Sequence, residues 1–221
     1  MAENIFYRAR RAAAALFTRR CVCCGRSFSG RQCVCSECAA GLVPADEPRG
    51  DFAACASYLY EGAARDVMLR FKFGEAPELY ADTLADWLCD GFDRHYDGES
   101  FDFAVSVPSF GERPRMELFI GDFAKRRRLC YRPGLLIKTR PTEKQHRLSS
   151  AERRTNLRGA FAASEAVRGK SILLVDDIFT TGSTVSECAG ALLAAGAASV
   201  SVLTVLRAED KTEKSDNRKE K

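Results

Sequence analysis

Residues 171–207 read SILLVDDIFTTGSTVSECAGALLAAGAASVSVLTVLR, and this one stretch narrows what the whole chain can be. The run ILLV is continuously apolar, as suits a strand buried on both faces. Ser183 to Ala195 then places Val185, Cys188, Ala189, Leu192 and Leu193 on one side of a helix. Gly196 stands where such a helix stops, and SVSVLTVL supplies the returning strand. Strand, helix and strand in this rhythm predict a parallel sheet flanked by helices, an α/β architecture.

The same stretch carries candidate chemistry. Asp176 and Asp177 end the first strand, at the sheet edge where parallel α/β proteins hold ligands. Thr180, Thr181, Gly182, Ser183 and Thr184 follow and lead into a helix whose first turn has unsatisfied N–H groups and a partial positive charge. Such a loop wraps a phosphate, and Gly182 lets the backbone come close to it. Two neighbouring carboxylates would repel that phosphate. They make sense as partners of vicinal sugar hydroxyls, or of a divalent metal shared with the sugar. A ribose bearing a 5′-phosphate satisfies both halves. A plainly capped helix explains the hydroxyls but not two acids on a buried strand. A phosphorelay receiver opens on its acids and runs for roughly 100 residues, whereas only 44 follow Asp177. Neither GxGxxG nor GxxxxGK with Ser or Thr occurs, so dinucleotide and P-loop readings have no support.

Six of the ten cysteines lie between Cys21 and Cys38. The segment CVCCGRSFSGRQCVCSEC holds Cys21-x-x-Cys24 and Cys35-x-x-Cys38 with ten residues between them. Two such pairs can close a tetrahedral thiolate site around zinc, and Gly25 lets the chain turn after the second ligand. Cys23 and Cys33 are spare thiols, so a set using Cys33 with Cys35 or Cys38 stays open on poorer spacing. Disulfides are the alternative. The amino-terminal AAAALF, however, is a six-residue apolar run closed by arginines, short of the ~7–15 residues of a secretory core. A reducing, cytoplasmic setting is therefore expected. Cys55, Cys89, Cys130 and Cys188 read as small buried hydrophobes.

The chain has 221 residues, enough for one large domain and a small appendage. No apolar run approaches the ~18 residues of a membrane span. Net charge is +4 but uneven: residues 111–159 carry fourteen Lys or Arg against five Asp or Glu, leaving −5 elsewhere. Such a concentration suits either an anionic ligand or a solvated face.

The expected organisation is a basic helical extension over 1–20, a zinc ribbon over 21–40, a linker near 41–51, an α/β domain over 52–207 and a disordered charged tail over 208–221. Within the domain, DFAACASYLY and FDFAVSVP read as strands, the latter stopped by Pro108. GAARDVMLRFKF, ELYADTLADWLCDGF and residues 116–129 have helical spacing, and LLIK is a short strand. Residues 139–158 are polar and basic, and read as a mobile loop with one helical turn. His146 in that loop and His95 in a polar turn are weak candidates for a general base.

ILLVDDIFTTGST resembles the signature with which type I phosphoribosyltransferases hold phosphoribosyl pyrophosphate (PRPP). The order of a double CxxC, YLYEGAARDVMLRFKFGE, QHRLSSAERRTNLRGAF and then the signature is similar to the ComF family of phosphoribosyltransferase-like proteins, linked to natural competence. It covers most of residues 21–207. The resemblance implies that Asp176 and Asp177 contact the ribose hydroxyls and that Thr180 to Thr184 hold the 5′-phosphate. It also implies a pyrophosphate loop near Ser106 and Ser109. The segment 138–154, with Lys144, Arg147 and Arg153, would be a flexible loop closing over PRPP and magnesium. One departure stands out: the family commonly carries an Arg-Gly-Phe-Asn-Gln run where this chain has RPRMELFIGD. Two functions are therefore expected to compete. One is a PRPP-dependent transferase; the other is a non-catalytic adaptor for single-stranded DNA or competence and DNA-processing proteins.

Overall fold

The computed structural model describes residues 19–108, 115–142 and 156–209. Ser109, Lys144, His146, Arg147 and Arg153 lie outside these residues, as do most of the expected extension and tail. In chain order, the amino-terminal elements are β1 (Arg19–Arg20), β2 (Ser27–Phe28) and α1 (Ser36–Ala40). Next come β3 (Cys55–Leu59), α2 (Gly62–Phe73), α3 (Glu78–His95), β4 (Phe103–Ser106) and α4 (Glu117–Arg126). The chain continues through β5 (Leu136–Lys138), β6 (Phe161–Ala163), β7 (Ser171–Phe179), α5 (Ser183–Ala194) and β8 (Ser199–Arg207).

Strands β3, β8, β7 and β4, in that spatial order, form an all-parallel sheet. This is the parallel α/β architecture predicted from residues 171–207. Successive residues of β7 serve opposite faces. Leu173 and Val175 join the apolar cluster of α2, α3 and α4, while Ile172 and Leu174 join that of α5 and the β5–β6 hairpin. Both faces of the strand are covered, which is why it reads as an uninterrupted apolar run.

Several boundaries differ from expectation for local reasons. The first sheet strand begins at Cys55 rather than near Asp51, because Arg49 and Ala54 exchange backbone hydrogen bonds of 2.9 and 2.8 Å across a tight turn. Helix α3 runs to His95, so that histidine ends a helix and its Nε2 lies 3.2 Å from the Ala56 carbonyl. Arg19 and Arg20 form a strand paired with Ser27 and Phe28. Strand β6 was not anticipated. At three residues it is defined by its antiparallel pairing with β5 rather than by any pattern of its own.

Gly91 lets α3 lie directly on β3. A Cβ there would stand 2.2 Å from Ser57 Oγ and 3.0 Å from Ser57 Cα. The other half of α3 receives the cysteine segment. Thr83 Oγ1 accepts from the Cys33 N–H at 2.9 Å, and Asp86 Oδ2 accepts from Gln32 Nε2 at 3.0 Å. Cys21, Cys33, Val34 and Cys35 belong to the same continuous apolar cluster as α2, α3 and α4. Part of the basic surplus is neutralised here: Arg126 pairs with Asp82, Asp86 and Asp122, and Arg127 with Asp93. Among the described residues, no helix is long and apolar enough to cross a membrane.

Candidate functional site

Strand β4 ends beside Val175, where Val107 N–H donates to the Val175 carbonyl at 2.9 Å. Asp176 and Asp177 are therefore the first residues of β7 to project beyond that neighbour, while β8 still flanks them. The two acids differ sharply. Asp176 is buried, and its Oδ1 accepts from the Asp177 N–H at 2.9 Å. Burial, reinforced by the adjoining carboxylate of Asp177, raises the Asp176 carboxyl to about 8. The Asp177 N–H and Lys72 offset this only in part. Asp177 faces the α2 side, where Lys72 Nζ lies 2.9 Å from its Oδ2.

Lys72 is the residue that reading for the site missed. Its signal was the segment RFKFGE, a lysine between two phenylalanines in the last turn of an amphipathic helix. Nothing local says which carboxylate it meets.

After β7 the chain turns through Gly182, whose φ of 75° is left-handed. A Cβ at this position would come within 2.8 Å of Phe179 Cζ, so the turn needs glycine twice over. Thr181 Oγ1 and Ser183 Oγ are 3.0 Å apart, and α5 starts at Ser183. A cavity of about 270 Å³ opens between this turn and the 49–54 turn, lined by residues that include Arg49, Phe52, Phe179, Thr181, Gly182 and Ser183. Its lining does not include either carboxylate.

The other expected residues fall as follows. Ser106 is buried at the end of β4, where its Oγ accepts from the Tyr131 hydroxyl at 2.9 Å. Burial pushes that phenol up to about 12. Of the basic segment, Lys138 donates to Thr142 Oγ1 at 2.7 Å, and Arg140 donates to the carbonyls of Asn156 and Arg158 at 3.0 and 2.9 Å.

At the amino-terminal end the sulfurs of Cys21, Cys24, Cys35 and Cys38 all lie within 4.8 Å of one another. Gly25 turns the chain with φ 72°, and Cys35 N–H points at Cys21 Sγ at 3.4 Å. Burial disfavours the Cys21 thiolate, but the N–H groups of Cys24, Cys35 and Cys23 outweigh it and bring the thiol down to about 6. Burial raises Cys23 to about 12 and Cys33 to about 11, and burial together with the neighbouring thiols also raises Cys38 within the cluster. Four thiolates at this spacing suit a tetrahedral soft-metal site.

Residues 138–220 match the family model described as the phosphoribosyl transferase domain. The matched residues include both carboxylates and the glycine turn; Lys72 and the cysteine cluster precede them. The chain is also 47% identical over 72 residues to the DNA utilization protein YhgH of Escherichia coli O157:H7 and of Escherichia coli K12. The corresponding protein of Salmonella typhi is 44% identical over the same length. These matches cover 33% of this chain and 32% of each relative, about a third of their length. The resemblance drawn from the sequence is borne out to this extent: residues 138–220 match the phosphoribosyl transferase domain, the matched relatives are named for DNA utilization, and a four-cysteine cluster lies ahead of the match. Among solved structures, the glutamine PRPP amidotransferase of B. subtilis, complexed with ADP and GMP, is 23% identical with a TM-score of 0.43. That superposition covers 62% of this chain and 30% of the other. Adenine phosphoribosyltransferase of Thermoanaerobacter pseudethanolicus is 14% identical, with a TM-score of 0.38 over 59% of this chain and 84% of that one.

Proposed function

We propose that the protein binds PRPP with magnesium at the end of β7 and transfers the phosphoribosyl group with release of pyrophosphate, in the service of DNA uptake or use. The observation that carries this reading is the pair Asp176 and Asp177 directly ahead of the glycine turn that opens α5. The carboxylates take the vicinal ribose hydroxyls, and Thr180 to Thr184 hold the 5′-phosphate through hydroxyls and helix N–H groups. The bond from the anomeric carbon to pyrophosphate breaks, with its electron pair leaving on pyrophosphate. A bond forms from the acceptor's nucleophilic atom to that carbon. The hard oxygens of Asp176 and Asp177 fit magnesium, which when bound supplies countercharge to the leaving group. Ser109, Lys144, Arg147 and Arg153, which the resemblance implies for the pyrophosphate side, lie outside the described residues. Cys21, Cys24, Cys35 and Cys38 hold a structural zinc. Cytoplasmic placement belongs to the same reading, since a thiolate site needs a reducing compartment.

A second reading, an adaptor for single-stranded DNA or DNA-processing proteins without turnover, draws on the relatives' name and on the segment RPRMELFIGD. Where the family has its polar run, Phe119 and Ile120 are fully buried core residues. Calorimetric titration with PRPP and magnesium, with and without nucleobases, separates the two. Saturable PRPP binding that is lost in Asp177→Asn supports the first. Failure to bind PRPP, with DNA binding that weakens as salt rises at about −0.7 in log–log slope per phosphate contact, leaves the second.

A further inference from the structure

The carboxyl-terminal turn of α2 is held firmly. Phe71 is buried and packs edge-to-face on Phe119, with ring centroids 5.3 Å apart. The Arg115 guanidinium donates to the carbonyls of Phe71, Lys72 and Gly74 at 2.8, 2.7 and 3.3 Å. Those carbonyls close the helix and would otherwise lack partners. The backbone beneath Lys72 is therefore fixed, while its side chain is a flexible four-carbon stem with three donors. That side chain is 32% exposed and its partner Asp177 18%, so the pair lies at the mouth of the site rather than in the core.

We propose that Lys72 is a transferable counter-cation. It neutralises Asp177 while the site is free, and it passes to the anionic diphosphate end of the ligand once sugar hydroxyls take up the carboxylate. The inference rests on the PRPP reading above and adds a ligand-responsive residue to it. A permanent Lys72–Asp177 pair would oppose ligand binding, because the ammonium occupies the carboxylate lone pairs that hydroxyl donors need. A diphosphate offers the displaced ammonium a partner with more charge than one carboxylate. The swing needs no backbone change, only rotation of a stem whose root Arg115 pins. Lys138 and Arg140, the described cations of the basic segment, are engaged within their own segment. Lys72 is the cation that an ion pair places on the acidic pair among the described residues.

Two ligands that differ in the diphosphate provide the test. With magnesium present, Lys72→Met should weaken PRPP binding about tenfold or more, while ribose 5-phosphate binds as well as before or several-fold tighter. Lys72→Arg should keep both affinities within about threefold. Wild-type protein gives a reading that needs no variant: saturating ribose 5-phosphate should tighten inorganic pyrophosphate binding about tenfold, because it frees Lys72. Equal weakening of both ligands by Lys72→Met, no effect on either, or absence of the pyrophosphate coupling overturns the proposal. Wild-type protein that binds neither PRPP nor ribose 5-phosphate overturns the PRPP reading itself, and Lys72 transfer falls with it. Binding of both ligands without the contrast leaves that reading standing and removes only this inference.

Discussion

The cysteine segment and the carboxylate edge both crowd ionisable groups into partly buried places, and they relieve the crowding in opposite ways. Around Cys21 the sulfurs converge on one another, aided by backbone N–H groups, with Cys21 drawn down to about 6. The same segment packs into the apolar cluster of α2, α3 and α4. At the end of β7 burial raises one carboxyl to about 8, and the other has Lys72 as a resident partner. A permanent occupant can be part of the packing, whereas an exchangeable one requires a site that is stable without it. On this contrast, removing the occupant is costly at the cysteines and cheap at the carboxylates.

The largest effect tests the first half of that contrast. Purified protein should carry about one zinc, and Cys35→Ser or chelation should remove it and unfold residues 21–38, since structural zinc in small ribbons contributes an apparent ~10–16 kcal/mol. Elemental analysis and thermal melting check this; protein prepared without chelator and found free of metal would refute it. Next in size is Gly182→Ala. A left-handed φ of 75° and the 2.8 Å approach to Phe179 make the substitution cost roughly 1–3 kcal/mol. That loss should appear as a fall of several degrees in Tm, and an unchanged Tm would mean the turn is not built on Phe179.

Asp176→Asn should go the other way and raise Tm by a few degrees near pH 8, on the order of 1 kcal/mol. Because the folded carboxyl is raised to about 8 from an ordinary value near 4, the folded state holds the proton more tightly. Stability from this group is then full below the ordinary value and is lost as pH rises through about 8. Melting curves from pH 4 to 9 should show that decline in the wild type and a flatter profile in the variant. Asp177→Asn is expected to be the mildest for folding, below about 1 kcal/mol, since its ion pair is partly exposed. Its mark should be on PRPP affinity instead. A variant that melts much earlier and binds normally would make the carboxylate structural.

How much of this could be read from the sequence follows from how local each feature is. Strand β7, the acidic pair, the glycine turn and α5 lie within two dozen consecutive residues and announce themselves by apolar runs and helix-start chemistry. The Cys-x-x-Cys spacing named the right region, but choosing among six thiols took three-dimensional packing, with Cys33 turned in against Thr83. Lys72 and Asp177 are remote in sequence and meet only because α2 lies on the sheet. Ser106 reads as a free hydroxyl until Tyr131 is placed beside it. Strand β6 has no periodicity to detect over three residues.

Helix α3 has a consequence of a mechanical kind. Its 18 residues form a rod about 27 Å long. Thr83 and Asp86 hold the cysteine segment toward one end, while Gly91 and Arg94 rest on Ser57 of the edge strand toward the other. Such a rod connects the cysteine segment to the rim of the sheet. Amide hydrogen exchange after metal stripping should therefore quicken in β3 while β7, two strands inward, keeps its protection.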